Sequence, residues 1–157
     1  MKLICTFCFV VLLVACKNPD TSSKAVSKSF DANLLVGDWQ RTNDSENKKT
    51  YESWWLSSNG IPEGKGYTML NSDTIWSEKI AINLIGGYKN LVVKDKTNVE
   101  TAFKFISETK NSFKCHNPTN EFPKFIEYIV SEYKIKAVIS DGENSIDFLF
   151  DRVSRIN

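Results

Sequence analysis

From Gly37 onward the chain alternates apolar and polar residues with a period of two, as strands do when one face is buried. Ile80, Ile82 and Leu84 share one face of a segment. Ile135, Ala137 and Ile139 lie opposite Lys134 and Lys136, and Ile146, Phe148 and Phe150 lie opposite Asp147 and Asp151. Turn formers at Ser58-Asn59-Gly60, Asn71-Ser72-Asp73, Gly86-Gly87 and Ser140-Asp141-Gly142 come too often to leave room for long helices. The pattern predicts strands over 37–43, 49–57, 64–70, 74–85, 88–94, 99–108, 111–116, 124–131, 133–140 and 145–153. One helical turn is expected between Phe30 and Leu35, plugging one end. So many strands with such short connections favour an all-β fold, a single antiparallel up-and-down β-barrel of about 8–10 strands whose closure removes exposed edges.

The beginning of the chain follows a different pattern. Lys2 is followed by an apolar run from Leu3 to Ala15, broken only by Thr6, and polar residues begin at Lys17. A permanent transmembrane helix needs about 20 apolar residues, so this shorter run predicts a cleaved secretory signal peptide over 1–15. Residues 17–28 read KNPDTSSKAVSK, poor in large apolar side chains, and predict a flexible tether ahead of a folded domain at 30–157.

Leu13-Val14-Ala15-Cys16 resembles the lipobox of bacterial lipoproteins. The resemblance implies cleavage before Cys16, lipidation of its sulfur, and a lipidated tether over 16–29. At about 0.8 kcal/mol per buried methylene, more than one acyl chain holds such a protein on a membrane. Lys17 stands where many inner-membrane lipoproteins carry aspartate. The resemblance therefore implies the outer membrane, with the domain expected on its periplasmic face.

Charge adds little to this picture. Lys and Arg number 20 against 19 Asp and Glu, and removal of Lys2 with the signal leaves 19 against 19. No basic stripe marks a nucleic-acid partner. Cys5 and Cys8 leave with the signal and Cys16 is assigned to lipid, so Cys115 has no disulfide partner and the core alone must hold the fold. Cys115 beside His116 could be read as nucleophile and base, but neighbours on a strand face opposite ways, which favours a small buried hydrophobe.

Gly37-Asp38-Trp39 resembles the Gly-x-Trp of the first strand of lipocalin-like barrels, the calycin group, in which a cationic residue of the last strand lies across the indole. Arg152 stands in that place, and the resemblance implies barrel closure by a cation–π contact of Gly37, Trp39 and Arg152. The segment His116-Asn117-Pro118-Thr119-Asn120-Glu121-Phe122-Pro123, followed by Ile126-Glu127-Tyr128, is similar to a motif of the uncharacterised bacterial family DUF6265. Glu52-x-Trp54, Gly64, Gly66, Glu78 before Ile80-Ala81-Ile82, and Phe103 fall in that family's order. The family is expected to be lipocalin-like and brings no activity with it. It commonly has histidine between Asn-Pro and Phe-Pro, where this chain has Asn120.

No nucleophile elbow, phosphate loop or zinc spacing is present, so the reading is not an enzyme, with no metal and no cofactor. Glu52 and Trp54 share a strand face, and Glu78 could converge with Glu52 as an acid–base pair or, more simply, both could pair with Lys or Arg at a rim. The candidate ligand-binding residues are Glu52, Trp54, Tyr67, Trp76, Glu78, Phe103, Asn117 and Tyr128, with Phe105 a further wall residue. Asn117 to Pro123 also suits a rigid loop in which Phe122 plugs the barrel mouth. The function expected is a membrane-anchored barrel holding a small apolar or amphipathic ligand. The alternative is a structural or inhibitory envelope protein whose loops dock on a protein partner of unknown identity.

Overall fold

A computed structural model describes residues 29–153; the signal peptide expected over 1–15, Cys16 and the rest of the tether up to residue 28 lie outside the described residues. Ten strands follow one another: β1 (Gly37–Arg41), β2 (Lys48–Leu56), β3 (Pro62–Leu70), β4 (Asp73–Ile85), β5 (Tyr88–Lys94), β6 (Glu100–Glu108), β7 (Ser112–His116), β8 (Phe125–Val130), β9 (Lys134–Ser140) and β10 (Ser145–Arg152). Each pairs antiparallel with its neighbours in sequence, and β1 pairs with β10, so the sheet is a closed up-and-down barrel. The expected helical turn is a 3-10 turn, Ala32–Leu34, with the Asp31 side chain accepting from the Asn33 amide.

Turn chemistry sets the strand ends. Asn71, Gly60, Gly86, Gly87 and Gly142 all carry positive φ, the backbone state that tight turns between antiparallel strands demand. Between the turns, inward side chains build one core that includes Trp39, Trp54, Leu91, Phe103, Phe113, Cys115, Tyr128 and Phe150. The outer face carries cross-strand pairs such as Lys134–Asp151 and Lys136–Asp147, each 2.7 Å apart, which at this exposure add little stability.

One end of the barrel is shut. The Trp39 indole is fully buried, donates from Nε1 to the Leu35 carbonyl at 2.7 Å, and lies under the Arg152 guanidinium at 4.0 Å. Arg152 also donates to the carbonyls of Glu132, Val36 and Leu34, tying the 3-10 turn, the β8–β9 turn and the last strand together. Gly37 makes this possible: its φ is +135°, and a β-carbon there would fall on Arg152 Nη1. Below the clamp, Phe30 packs edge-on against Phe113 at 4.7 Å, and its amide donates to Glu108, which Lys89 pairs at 2.8 Å. The cation–π closure predicted for Gly37, Trp39 and Arg152 is thus present.

Candidate functional site

The other end is open, and a cavity of about 510 Å³ runs down into the barrel from it. Its apolar wall comprises residues at alternate positions of neighbouring strands, Leu91 and Val93 from β5, Phe103 from β6, Ile126 from β8 and Ile139 from β9. Trp76, Phe148, Arg41 and the loop residues Asn120, Phe122 and Pro123 frame the mouth. The loop is braced from within: Asn117 donates to the Ala102 carbonyl and accepts from Thr119 and Asn120, and Asn120 donates to the Pro123 carbonyl.

The floor carries two carboxyl groups. Glu52 of β2, Gly66 of β3 and Glu78 of β4 occupy one row of the sheet, with Glu52 opposite Gly66 and Gly66 opposite Glu78. Because the middle position has no side chain, Glu78 can lean over it; a β-carbon at Gly66 would sit 3.4 Å from Glu78 Cγ and Oε1. Gly64, two residues earlier, yields in the same way to Trp54, whose ring would meet a β-carbon there at 2.7 Å. The two inward glycines of β3 thus make the space into which the indole and the carboxyl fold.

Glu52 and Glu78 have different surroundings. Glu52 is buried and both of its oxygens are engaged, Oε2 accepting from Trp54 Nε1 at 2.8 Å and Oε1 from Tyr128 Oη at 3.0 Å. Burial raises its pKa, and these two donors oppose the shift. Glu78 faces the cavity, and no hydrogen bond or ion pair reaches its carboxyl among the described residues. Burial first, and the charge of Glu52 second, push it up to about 8. The two donors facing Glu52 suit its charged form, and Glu78, which has none, keeps its proton into the neutral range. Tyr128 is itself pushed well above its ordinary range by burial and by the neighbouring carboxylates, and so remains a donor.

Placement of the expected site residues follows from strand parity. Glu52, Trp76, Glu78, Phe103 and Tyr128 line the cavity. Trp54 lies beneath it as the support of Glu52, edge-on to Tyr128 at 6.3 Å. Tyr67, expected inside, is on the outer face: Gly66 and Thr68 point inward, and Tyr67 stacks on Tyr51 at 5.2 Å with Lys65 above it. Asn117, expected at the ligand, spends its amide nitrogen on the Ala102 carbonyl of β6 and its oxygen on Thr119 and the Asn120 amide. Phe105 stacks on Phe113 at 4.6 Å, below the cavity rather than on its wall. The rim pairing of both carboxylates with Lys or Arg is not what forms, since neither engages a cation.

Phe122, expected at the mouth from the turn chemistry of its loop, lines it, whereas sequence reasoning did not single out Arg41 and Phe148 there. Arg41 sits two residues beyond the inward Trp39, so strand parity alone places it inside. It lies 4.1 Å over the Phe148 ring and 3.5 Å from Asp44. Cys115 is completely buried between Phe105 and Ile126, and burial drives its thiol pKa upward, which suits a packing group and not a thiolate nucleophile. His116 points the opposite way and stacks on Phe125 at 4.3 Å. Among the described residues no three His, Cys, Asp or Glu side chains are grouped as a metal site. Compared with protein-family models, curated proteins and solved structures, the chain matches none.

Proposed function

We propose that this protein is an envelope lipoprotein whose barrel carries a small amphipathic molecule in its interior. The observation that supports this is the hollow interior itself, large enough for a compact ligand and walled by aliphatic and aromatic side chains around a few polar groups. A barrel built only as a scaffold gains stability by filling such a space, since each unfilled volume forfeits packing. Here inward glycines and the short Thr50 and Thr68 side chains keep it open. The apolar wall fits a hydrocarbon body and the floor fits a polar head. Native mass spectrometry of the purified protein is expected to show a bound small molecule that organic extraction removes, and the extracted protein is expected to take up an apolar fluorescent probe. A bare mass in every preparation together with no probe uptake removes the reading.

The anchoring half of the proposal rests on Leu13-Val14-Ala15-Cys16 and the polar stretch after it. Lys17 in the second position supports anchorage in the outer membrane, and the barrel is placed on its periplasmic side as part of the same proposal. Metabolic labelling with palmitate is expected to mark the full chain and to vanish in Cys16→Ser, with the variant recovered in the soluble envelope fraction. Label retained by that variant, or its continued sedimentation with membranes, overturns the anchor.

A further inference from the structure

The cavity can be asked what head group it is built to receive. Hydrogen-bonding capacity inside it is nearly all spent. Glu52 holds Trp54 and Tyr128, and Thr50 and Thr68 bond each other at 3.0 Å while Thr50 also donates to Asp44. The Arg41 guanidinium donates to Asn43 at 2.8 Å and to the Asp147 carbonyl, and it faces Asp44 and Phe148. What remains are the Thr101 hydroxyl, the Trp76 indole N–H and Glu78, and of these only Glu78 can carry charge, a carboxyl open to the cavity with no donor of its own. Two carboxyls and no uncommitted cation give the floor a deficit of positive charge, set in apolar surroundings where an ion pair is worth far more than in water.

We infer that the ligand is an amphipathic amine, its protonated head on the Glu78 carboxyl deep in the barrel and its apolar body along Leu91, Phe103 and Ile126. This inference rests on the ligand-carrier reading and specifies its chemistry. An ammonium group brings three donors and one positive charge. Glu78 accepts, the Tyr128 oxygen is within the same floor, and the charge takes the place of the proton that Glu78 gives up. A fatty-acid anion meets the wrong sign at the floor, and an alcohol satisfies one oxygen and leaves the charge uncompensated.

Binding is then coupled to a proton. The titratable groups facing Glu78 are Glu52 from β2, Tyr128 from β8 and Arg41 from β1; β3 and β5 present only Gly66, Thr68, Leu91 and Val93. With Glu78 at about 8 in the empty barrel, seating an ammonium expels the Glu78 proton to solvent. An alkylamine keeps its own proton up to about pH 10. Affinity for the amine therefore rises about tenfold per pH unit from pH 6 and levels off near 8.

The test is calorimetric titration of the purified protein with decylamine, decanol and decanoate at pH 6, 7 and 8. The expected result is tighter binding of the amine at each step, by about tenfold per unit up to the plateau. Decanol is expected to show no such slope, and decanoate to bind most weakly of the three. In Glu78→Gln the amine loses its pH slope and at least tenfold of its affinity at pH 8, while decanol changes by less than about threefold. Amine and alcohol binding alike without a slope in the wild-type protein, or decanoate binding tightest, overturns the amine and leaves the carrier reading intact. Binding of none of the three overturns both. The wild-type slope decides the matter even if the variant folds poorly.

Discussion

Glu78→Gln is expected to make the protein more stable above pH 7, and to remove the part that Glu78 contributes to a loss of stability that the wild-type protein undergoes between about pH 5 and pH 8. The sign follows from the direction of the shift. In the unfolded chain Glu78 ionises near its ordinary 4.5, whereas in the barrel it holds its proton up to about 8. Between those limits the folded state binds the extra proton, so folding is favoured at low pH and weakens as pH rises. At about 1.4 kcal/mol per unit, the interval sets a ceiling of about 5 kcal/mol, and screening through the open mouth lowers this to about 2–3. Glutamine carries no charge to desolvate and so avoids the loss. Urea unfolding at pH 5.5 and pH 8.5 measures it: the wild-type midpoint is expected to fall and the variant's to move much less. Equal behaviour of the two proteins would show that Glu78 ionises in the barrel as it does in water. The same loss should shrink in the presence of a bound amine, because the ligand supplies the missing countercharge.

The other large effect lies at the shut end. Trp39→Ala removes a fully buried indole, leaves the Leu35 carbonyl without its donor and strips the Arg152 guanidinium of the ring beneath it. Large aromatic-to-alanine changes in a core cost about 3–5 kcal/mol, and here the hydrogen bond and the cation–π contact add to the cavity. Trp39→Phe keeps most of the packing and loses the donor, so about 1–2 kcal/mol is expected, the usual range for an unsatisfied buried carbonyl plus a smaller ring. Denaturant midpoints of the two variants give the order directly. A loss below about 1 kcal/mol for alanine would mean that the clamp is ornamental and the barrel is held by its remaining core.

Much of this architecture was legible in the residues. All ten strands fall within about three residues of their predicted ends, because Asn71, Gly60, Gly86-Gly87 and Gly142 both mark the turns in sequence and adopt positive φ in space. Glu52 and Trp54 were placed together on the inner face because β2 runs without a bulge between them. Tyr67 was misplaced for a physical reason: the inward positions before it are Gly64 and Gly66, which have no side chains to alternate with, so the one aromatic residue of the strand gave the strongest signal although it points outward. Phe122 belongs to a loop with no period to read, and it was the two prolines and Asn117 around it that pointed to the mouth. The relation between Glu52 and Glu78 depends on register across three strands, which no local pattern encodes, and the difference in their hydrogen-bonding could be seen only once Trp54 and Tyr128 were located.

The chain joins the barrel at its shut end, where Ser29 is held by Lys89 and Phe30 packs on Phe113, while the mouth with Phe122 and Phe148 opens at the far side. The opening thus lies along the barrel axis, away from the junction with the N-terminal segment. In the proposed lipoprotein, an anchor on the N-terminal segment would hold the sealed base and leave the opening unobstructed.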